Sequence, residues 1–316
     1  MPKPNNNPKN DLRGVLLPIT TPFDQHQAID IAGLRSNIRK WNETGIIGYV
    51  VLGSTGERAH LDEQEFATVV SVAREQVPEH ILFIVGAGQQ STFGTIREIR
   101  RLITIGPVDA VLVITPSFYR TSITPTTLID YYQAVADAST VPVILYSMPA
   151  LTGITIDSET AARLSEHENI IGIKDSSANV DGLKETVRQV RDDFAVMTGN
   201  GTVLSQALDA GASGAILAVG CVAPRLCIEI LNAVAEGDSQ RAAQLQSHLT
   251  PLAAAVTTRF GIGGLKAALD QIGYSGGAVR APLPAPDEHA REEIRLRLQE
   301  AQDALSPALV THPQTA

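Results

Sequence analysis

Short apolar runs recur along this chain, and segments of helical length separate them. Eight such runs precede residue 220: Gly14–Thr20, Gly48–Leu52, Ile81–Val85, Ala110–Ile114, Val141–Tyr146, Ile170–Lys174, Ala195–Thr198 and Gly214–Ala218. Each run is rich in Val, Ile or Leu and is nearly continuous in apolar residues. This pattern is typical of parallel strands that are buried on both faces.

The segments between the runs predict the helices and the fold class. Successive runs are spaced roughly 25–35 residues apart, which leaves room for one crossover helix each. Helices are predicted over about 30–44 and from Asp62 onward, where Asp62 and Glu65 match an N-cap pair. Eight such units within about 220 residues indicate an α/β protein with a TIM (β/α)₈ barrel. A doubly wound sheet is disfavoured because no Gly-x-Gly-x-x-Gly turn follows the first run.

Beyond about Pro224 the pattern becomes helical, and no further strand is predicted. The expected helical segments lie near 225–236, 238–258, 263–272 and 287–304. We therefore divide the chain into a barrel over 12–224 and a C-terminal helical region over 225–305. The tails, residues 1–11 and 306–316, are rich in Pro, Asn, Thr and Gln and are predicted to be mobile.

Composition and charge exclude several classes of function. The 316 residues are 44% hydrophobic and carry a net charge of −9, which argues against nucleic-acid binding because phosphates require a basic face. Cys221 and Cys227 have no neighbouring His pair, so reduced thiols are expected rather than a metal site or a disulfide. Residues 1–10 contain no apolar core, so a secretory signal is not expected there, and no apolar stretch reaches the roughly 18–20 residues that span a bilayer. We expect a soluble, cytoplasmic protein without a membrane or nucleic-acid partner.

Candidate chemistry is found where the predicted strands end, because a TIM barrel has its active site at the carboxyl ends of its strands. Lys174 ends the otherwise apolar run Ile170–Lys174. An amine among apolar walls is favoured in its neutral form, which attacks a carbonyl to form an imine. The alternative is a lysine on the rim of the barrel that pairs with Asp175. Position alone does not decide between these two interpretations.

Two further strand ends carry groups that suit chemistry at a carbonyl. Tyr146 ends the preceding run, and its phenol is either a proton carrier or an ordinary half-buried aromatic. The segment Gly53-Ser-Thr-Gly-Glu57 follows the second run, and its backbone N–H groups and two hydroxyls suit a carboxylate. Such a segment also serves as a simple turn. His60 and the other histidines are scattered and are expected on the surface.

These residues, in this order, resemble the dihydrodipicolinate synthase / N-acetylneuraminate lyase family of Schiff-base aldolases and lyases, over roughly residues 12–300. The matching motifs are Pro18-Ile-Thr-Thr-Pro-Phe23, Gly53-Ser-Thr-Gly-Glu57, Thr115-Pro116, Tyr146-Ser-Met-Pro149, Thr152-Gly153 and Gly172-Ile-Lys174-Asp-Ser176. Members are (β/α)₈ barrels that act on pyruvate or a related 2-oxo acid, usually as homotetramers built as dimers of dimers. They use neither a metal nor an organic cofactor.

The resemblance implies a role for each matching residue. Lys174 corresponds to the imine-forming lysine, and Tyr146 to the tyrosine that relays protons during carbon–carbon cleavage. Ser54 and Thr55 correspond to the pair that holds the carboxylate of the 2-oxo acid and completes the proton relay. Ser176 corresponds to the hydroxyl that contacts the variable part of the substrate. We expect three further contacts with the substrate, from Leu151, Gly199 and Ala218.

Departures from the family pattern narrow the expected substrate. Dihydrodipicolinate synthases carry an arginine where this chain has Leu151, which cannot pair with a carboxylate, so that activity is disfavoured. Sialic acid lyases carry an Asp-Glu pair where this chain has Gly201-Thr202. The likeness is greatest to 4-hydroxy-2-oxoglutarate aldolases and 2-keto-3-deoxy-sugar-acid aldolases, and it extends into Ala255–Ile262, Gly273–Gly277 and Arg280–Leu283.

One departure concerns a tyrosine that most members carry two residues after Thr-Pro and that reaches into the neighbouring subunit. Phe118 occupies this position here, and Tyr119 follows it. Either Tyr119 or a water relays the proton, or the reaction is slower or altered. The leading hypothesis is retro-aldol cleavage of a 4-hydroxy-2-oxo acid to pyruvate and an aldehyde. The alternatives are a dehydratase or hydratase-aldolase of the same family and a ligand-binding barrel without turnover.

Overall fold

The computed structural model describes residues 12–305, and within them eight parallel strands close into a barrel. The strands follow chain order around the barrel, and β1 closes it by pairing with β8 as well as β2. Their bounds are β1 Val15–Pro18, β2 Gly48–Val51, β3 Leu82–Ala87, β4 Ala110–Ile114, β5 Val143–Ser147, β6 Ile170–Asp175, β7 Ala195–Thr198 and β8 Gly214–Ile216. The predicted TIM barrel is confirmed, and each predicted strand overlaps an observed one.

Helices alternate with the strands and surround the barrel. They are α1 Ile31–Trp41, α2 Glu63–Gln76, α3 Thr92–Ile105, α4 Pro125–Ala138, α5 Pro149–Thr152, α6 Ser158–Ser165, α7 Val180–Gln189, α8 Leu204–Asp209 and α9 Pro224–Ala235. Helix α2 begins with a capping box, because the Asp62 side chain accepts from the Glu65 N–H while the Glu65 side chain accepts from the Asp62 N–H. The predicted N-cap pair is therefore confirmed.

Three more helices follow α9 and form the predicted C-terminal appendage. They are α10 Ser239–Ala254, α11 Gly261–Gln271 and α12 Glu288–Asp303, and a π-helical turn over Ala255–Arg259 joins α10 to α11. Helix α10 packs against α9, and α11 and α12 pack against each other. The proposed division of the chain after residue 224 stays a prediction. The predicted mobile tails, 1–11 and 306–316, lie outside the described residues.

Side chains alternate between two cores along each strand. On β2, Val50 lies in the barrel interior, while Tyr49 and Val51 pack in the layer between strands and helices. Both faces are buried, which explains the continuous apolar runs in the sequence. The interior cluster also includes Tyr146, so a phenol stands among apolar side chains at the carboxyl end of β5. The carboxyl end of the barrel, where the candidate catalytic residues were predicted, is therefore partly shielded from water.

Candidate active site

The turn after β2 presents Ser54 and Thr55 at the carboxyl end of the barrel. The Gly56 N–H donates to the Gly53 carbonyl at 3.0 Å, and the Glu57 N–H donates to the Ser54 carbonyl at 3.1 Å. The side chains of Ser54 and Thr55 are half-buried. Glu57 adopts a left-handed backbone with φ of 55°, which a residue other than glycine keeps only where its surroundings hold it. Contacts of the Glu57 side chain supply that restraint.

A buried ion pair connects this turn to the C-terminal appendage. The Glu57 carboxylate contacts the Lys266 ammonium of α11, and both side chains are almost fully buried. Glu57 also accepts from the Arg280 backbone N–H at 3.0 Å, and Lys266 donates to the Ala278 carbonyl at 2.6 Å. Sequence reasoning missed this pair, although a lone lysine in the apolar part of α11 was an available signal. His60, which was expected on the surface, is half-buried, and its Nδ1 lies 3.3 Å from the Glu57 carboxylate.

Lys174 and Tyr146 are neighbours across two paired strands. The pairing of β5 with β6 places them in register, and the Lys174 side chain is buried with Nζ 4.3 Å from the centre of the Tyr146 ring. Asp175, which follows Lys174, instead accepts hydrogen bonds from the backbone N–H of Ser177 at 2.8 Å and from its hydroxyl at 3.0 Å. The interpretation of Lys174 as a rim lysine paired with Asp175 is therefore wrong.

Tyr146 is the centre of a small group of polar side chains. Its hydroxyl lies 3.4 Å from the Ser54 Oγ. Burial raises the pKa of Tyr146, but the charge of Lys174 and hydrogen bonds with Ser54, Lys174 and Ser176 outweigh burial, so that this pKa lies below its ordinary value. A phenol with a lowered pKa releases and accepts a proton more readily near neutral pH. The structure thus brings Lys174, Tyr146, Ser54 and Ser176 together.

Gly199, at the carboxyl end of β7, leaves room for the side chains of Lys174 and Ser176. A Cβ built at Gly199 would lie 2.7 Å from the Lys174 Cε and would overlap the Ser176 Oγ. The Gly199 N–H donates to the Asp175 carbonyl at 2.6 Å, which fixes the glycine beside β6. A larger residue at this position would displace the lysine. Ala218 lies half-buried at the start of the turn after β8, at the same end of the barrel.

A cavity of about 320 Å³ opens beside this group, and Ser54, Tyr146, Thr115 and Leu151 line its wall. Leu151 lies in the short helix α5 directly after β5 and is 64% exposed, so the cavity has an apolar rim on that side. Thr115 follows β4, and its Oγ1 is buried without a hydrogen-bond partner in residues 12–305. Sequence reasoning included Thr115 in a matching motif but assigned this hydroxyl no role.

Phe118 and Tyr119 lie farther out, on the loop after β4. They are 76% and 69% exposed, and their rings pack edge to face at 5.0 Å. Gln90 holds this loop, because its side-chain oxygen accepts from the backbone N–H groups of Ser117 and Phe118, both at 2.8 Å. Within the described chain Tyr119 lies outside the cavity wall. Its role in a proton relay remains a prediction.

Among residues 12–305 no group of three or more His, Cys, Asp or Glu side chains is arranged to hold a metal ion. Over the same residues, each helix is too short or too polar to cross a membrane.

Comparisons with known proteins give the same family as the sequence motifs. Residues 11–301 match the model of the dihydrodipicolinate synthetase family. The chain is 34% identical over 289 residues to a 4-hydroxy-tetrahydrodipicolinate synthase from Methanothrix thermoacetophila, which covers 90% of this chain and 95% of the relative.

Solved structures agree with this assignment. A structure from work on the first monomeric dihydrodipicolinate synthase variant superposes with a TM-score of 0.88 at 31% identity, covering 94% of this chain and 99% of that chain. YagE, a prophage protein of the dihydrodipicolinic acid synthase family from E. coli K12 in complex with pyruvate, superposes with a TM-score of 0.84 at 29% identity, covering 92% and 98%. The family's enzymes are pyruvate-dependent carbon–carbon lyases and synthases that form a Schiff base with a lysine and use no metal cofactor. The chain belongs to the dihydrodipicolinate synthetase family.

Proposed function

We propose that this protein cleaves a 4-hydroxy-2-oxo acid into pyruvate and an aldehyde through an imine on Lys174. One observation carries the proposal: the Lys174 ammonium group is buried against the Tyr146 ring, while the neighbouring carboxylate of Asp175 is bound to Ser177. Because no carboxylate of residues 12–305 contacts Lys174, its amine is not held in an ion pair and is available to attack a carbonyl.

The carboxylate of the substrate is the first group to be bound. Ser54 and Thr55 offer two hydroxyls at the half-buried turn after β2, and backbone N–H groups of the same turn add further donors. Ser54 also contacts Tyr146, so a carboxylate bound at Ser54 has its C2 carbonyl directed toward Tyr146 and Lys174. The turn after β2 therefore binds the carboxylate and orients the 2-oxo group of the substrate.

The covalent steps then follow at C2, C3 and C4 of the substrate. The neutral amine of Lys174 attacks C2, and the resulting carbinolamine loses water to form a protonated imine. Ionised Tyr146 takes the proton from the C4 hydroxyl, the C3–C4 bond breaks, and its electron pair moves into the imine to give an enamine. The aldehyde leaves, C3 of the enamine is protonated, and hydrolysis of the imine releases pyruvate and the free lysine.

Borohydride trapping tests the imine directly. We expect incubation with pyruvate and sodium borohydride to attach a stable pyruvate-derived group to Lys174 alone, as located by mass spectrometry of peptides. Lys266 serves as the internal control, because it is equally buried but held by Glu57. Modification of another lysine, or of none, would contradict the proposal. Failure to turn over any 4-hydroxy-2-oxo acid would instead support a ligand-binding barrel.

Product analysis separates the remaining activities within the family. Pyruvate plus an aldehyde supports the aldolase, whereas loss of water to a deoxygenated oxo acid supports a dehydratase or hydratase-aldolase. The names of the relatives favour a second candidate, 4-hydroxy-tetrahydrodipicolinate synthase. Leu151 argues against it, since a leucine offers no partner to the carboxylate of a second substrate. Condensation of pyruvate with aspartate semialdehyde would show that the second candidate is correct.

We further propose that the protein assembles as a homotetramer built as a dimer of dimers. The exposed pair Phe118 and Tyr119 beside the cavity supports this assembly, because such large aromatic side chains are commonly covered in interfaces between subunits. Sedimentation at micromolar concentration is expected to give the mass of four chains. A monomer would contradict the proposal.

A further inference from the structure

Arg120 lies at the mouth of the barrel, against the turn that ends α5. It opens a short 3₁₀ turn on the loop after β4, and its side chain crosses Gly153. A Cβ built at Gly153 would lie 3.2 Å from the Arg120 Nη1 and 3.4 Å from its Cδ. Gly153 also has a left-handed backbone with φ of 67°, so glycine suits this position for two reasons. The loop after β4 and the turn after β5 thus bring a guanidinium beside the cavity wall at Leu151 and Thr152.

Three other cations around this end of the barrel have carboxylate partners. Arg58 contacts Glu98, and Lys266 contacts Glu57. Arg280 contacts Glu65 in the same way. Arg120, in contrast, has neither a hydrogen bond from its guanidinium nor an ion pair with any residue of 12–305, although an arginine is charged at all ordinary pH values. Within the described residues, the Arg120 guanidinium therefore lies against Gly153, next to the cavity wall, without a carboxylate partner.

We infer that Arg120 binds a second carboxylate, at the far end of the substrate from the 2-oxo acid group. The inference rests on the proposed function and names the class of substrate: a 4-hydroxy-2-oxo dicarboxylate rather than a polyhydroxylated sugar acid. Ser54 and Thr55, on the β2 side of the cavity, bind the carboxylate of the 2-oxo acid group. Leu151 offers the distal carboxylate no polar partner, and the guanidinium provides two parallel donors for it.

The test compares one pair of substrates in two variants. Arg120→Gln and Arg120→Lys are assayed for pyruvate release from 4-hydroxy-2-oxoglutarate and from 4-hydroxy-2-oxopentanoate, which has a methyl group in place of the distal carboxylate. We expect Arg120→Gln to lower kcat/KM for the dicarboxylate by about 10- to 100-fold, mainly through KM, and to change it less than about twofold for the other substrate. Arg120→Lys keeps the charge but loses the bidentate geometry, so its loss should be intermediate.

Two controls keep this inference separate from the proposed function. Arg100→Gln removes another exposed arginine, on α3, and is expected to leave both substrates unaffected. Trapping of pyruvate on Lys174 should be unchanged in Arg120→Gln, because pyruvate has no second carboxylate. If trapping succeeds but the variant affects both substrates equally, or if the wild type prefers the monocarboxylate, the inference is overturned while the imine chemistry stands. Loss of trapping in the wild type would overturn the proposed function itself.

Discussion

Two buried lysines in this barrel stand in nearly the same physical setting and have different partners. Lys174 is 5% exposed and Lys266 is 1% exposed. Each ammonium lies above an aromatic ring, at 4.3 Å from the ring centre of Tyr146 and at 4.4 Å from that of Phe23. Lys266 contacts the Glu57 carboxylate and donates to a backbone carbonyl. Lys174 has a phenol and hydroxyl groups around it, because Asp175 is bound to Ser177.

Burial alone therefore does not identify a reactive lysine. Burial lowers the pKa of Lys266, and the hydrogen bond and charge of Glu57 act in the opposite direction to hold the ammonium form. Such a pair fixes two distant segments of the chain but leaves no amine for chemistry. At Lys174 the carboxylate is absent from the contacts, and a hydroxyl network that can move protons takes its place. The partner of a buried lysine, more than its exposure, separates the structural role from the chemical one.

Replacement of Lys174 by methionine is expected to have the largest effect. Lys174→Met removes the nucleophile, so pyruvate release should fall by about 10⁴-fold or more. The fold should remain as stable as the wild type, because no buried carboxylate loses its partner. Coupled assays of pyruvate and urea unfolding measure the two properties. A variant that kept more than about one hundredth of the activity would show that another group forms the imine.

The matching replacement of Lys266 should lower stability while leaving imine formation on Lys174 intact. Lys266→Met leaves Glu57 charged and buried without its partner, which is expected to lower the free energy of unfolding by about 3–5 kcal/mol. The double variant Glu57→Gln, Lys266→Met should recover part of that loss, since it removes both charges. Urea unfolding measures the stability, and borohydride trapping of the folded variant should still modify Lys174. A loss below about 1 kcal/mol would mean that the pair is not what anchors the turn after β2.

The sequence predicted the position and the role of Lys174, but it predicted nothing about Lys266. Lys174 could be placed because an apolar run of parallel-strand type ends on it, and strand ends converge in a closed barrel. Tyr146 followed from the same local pattern on the neighbouring strand. Local patterns of this kind fix which strands and helices form, and the observed strands overlap all eight predicted runs.

Contacts between distant segments were beyond such reasoning. Lys266 meets Glu57 only because α11 folds back over the turn after β2, and no periodicity in the sequence encodes that packing. Arg120 meets Gly153 for a similar reason, since two loops that follow different strands approach one another at the mouth of the barrel. The residues for Schiff-base chemistry can therefore be predicted from local sequence patterns. The ion pair between Lys266 and Glu57 and the position of Arg120 beside Gly153 depend on tertiary structure.

The smallest predicted effect concerns the Ser54 hydroxyl, which contacts the Tyr146 phenol next to Lys174. The Ser54 hydroxyl is one of the groups that lower the pKa of Tyr146 against the effect of burial. Ser54→Ala removes this hydrogen bond, so the pKa of Tyr146 should rise. Because ionised Tyr146 accepts the C4 proton, the rising limb of kcat against pH should move to higher pH in this variant.

Stability and activity should respond to this change in different pH ranges. Because the folded pKa of Tyr146 lies below the unfolded one, its ionisation contributes stability that is complete above the unfolded pKa and is lost as pH falls through the folded pKa. Near neutral pH, Ser54→Ala should therefore slow the reaction while this ionisation leaves stability unchanged. Tyr146→Phe is the matched control, because it should abolish the limb. A limb that persisted in Tyr146→Phe, or that moved to lower pH in Ser54→Ala, would assign the titration to another group and leave Lys174 without its proton carrier.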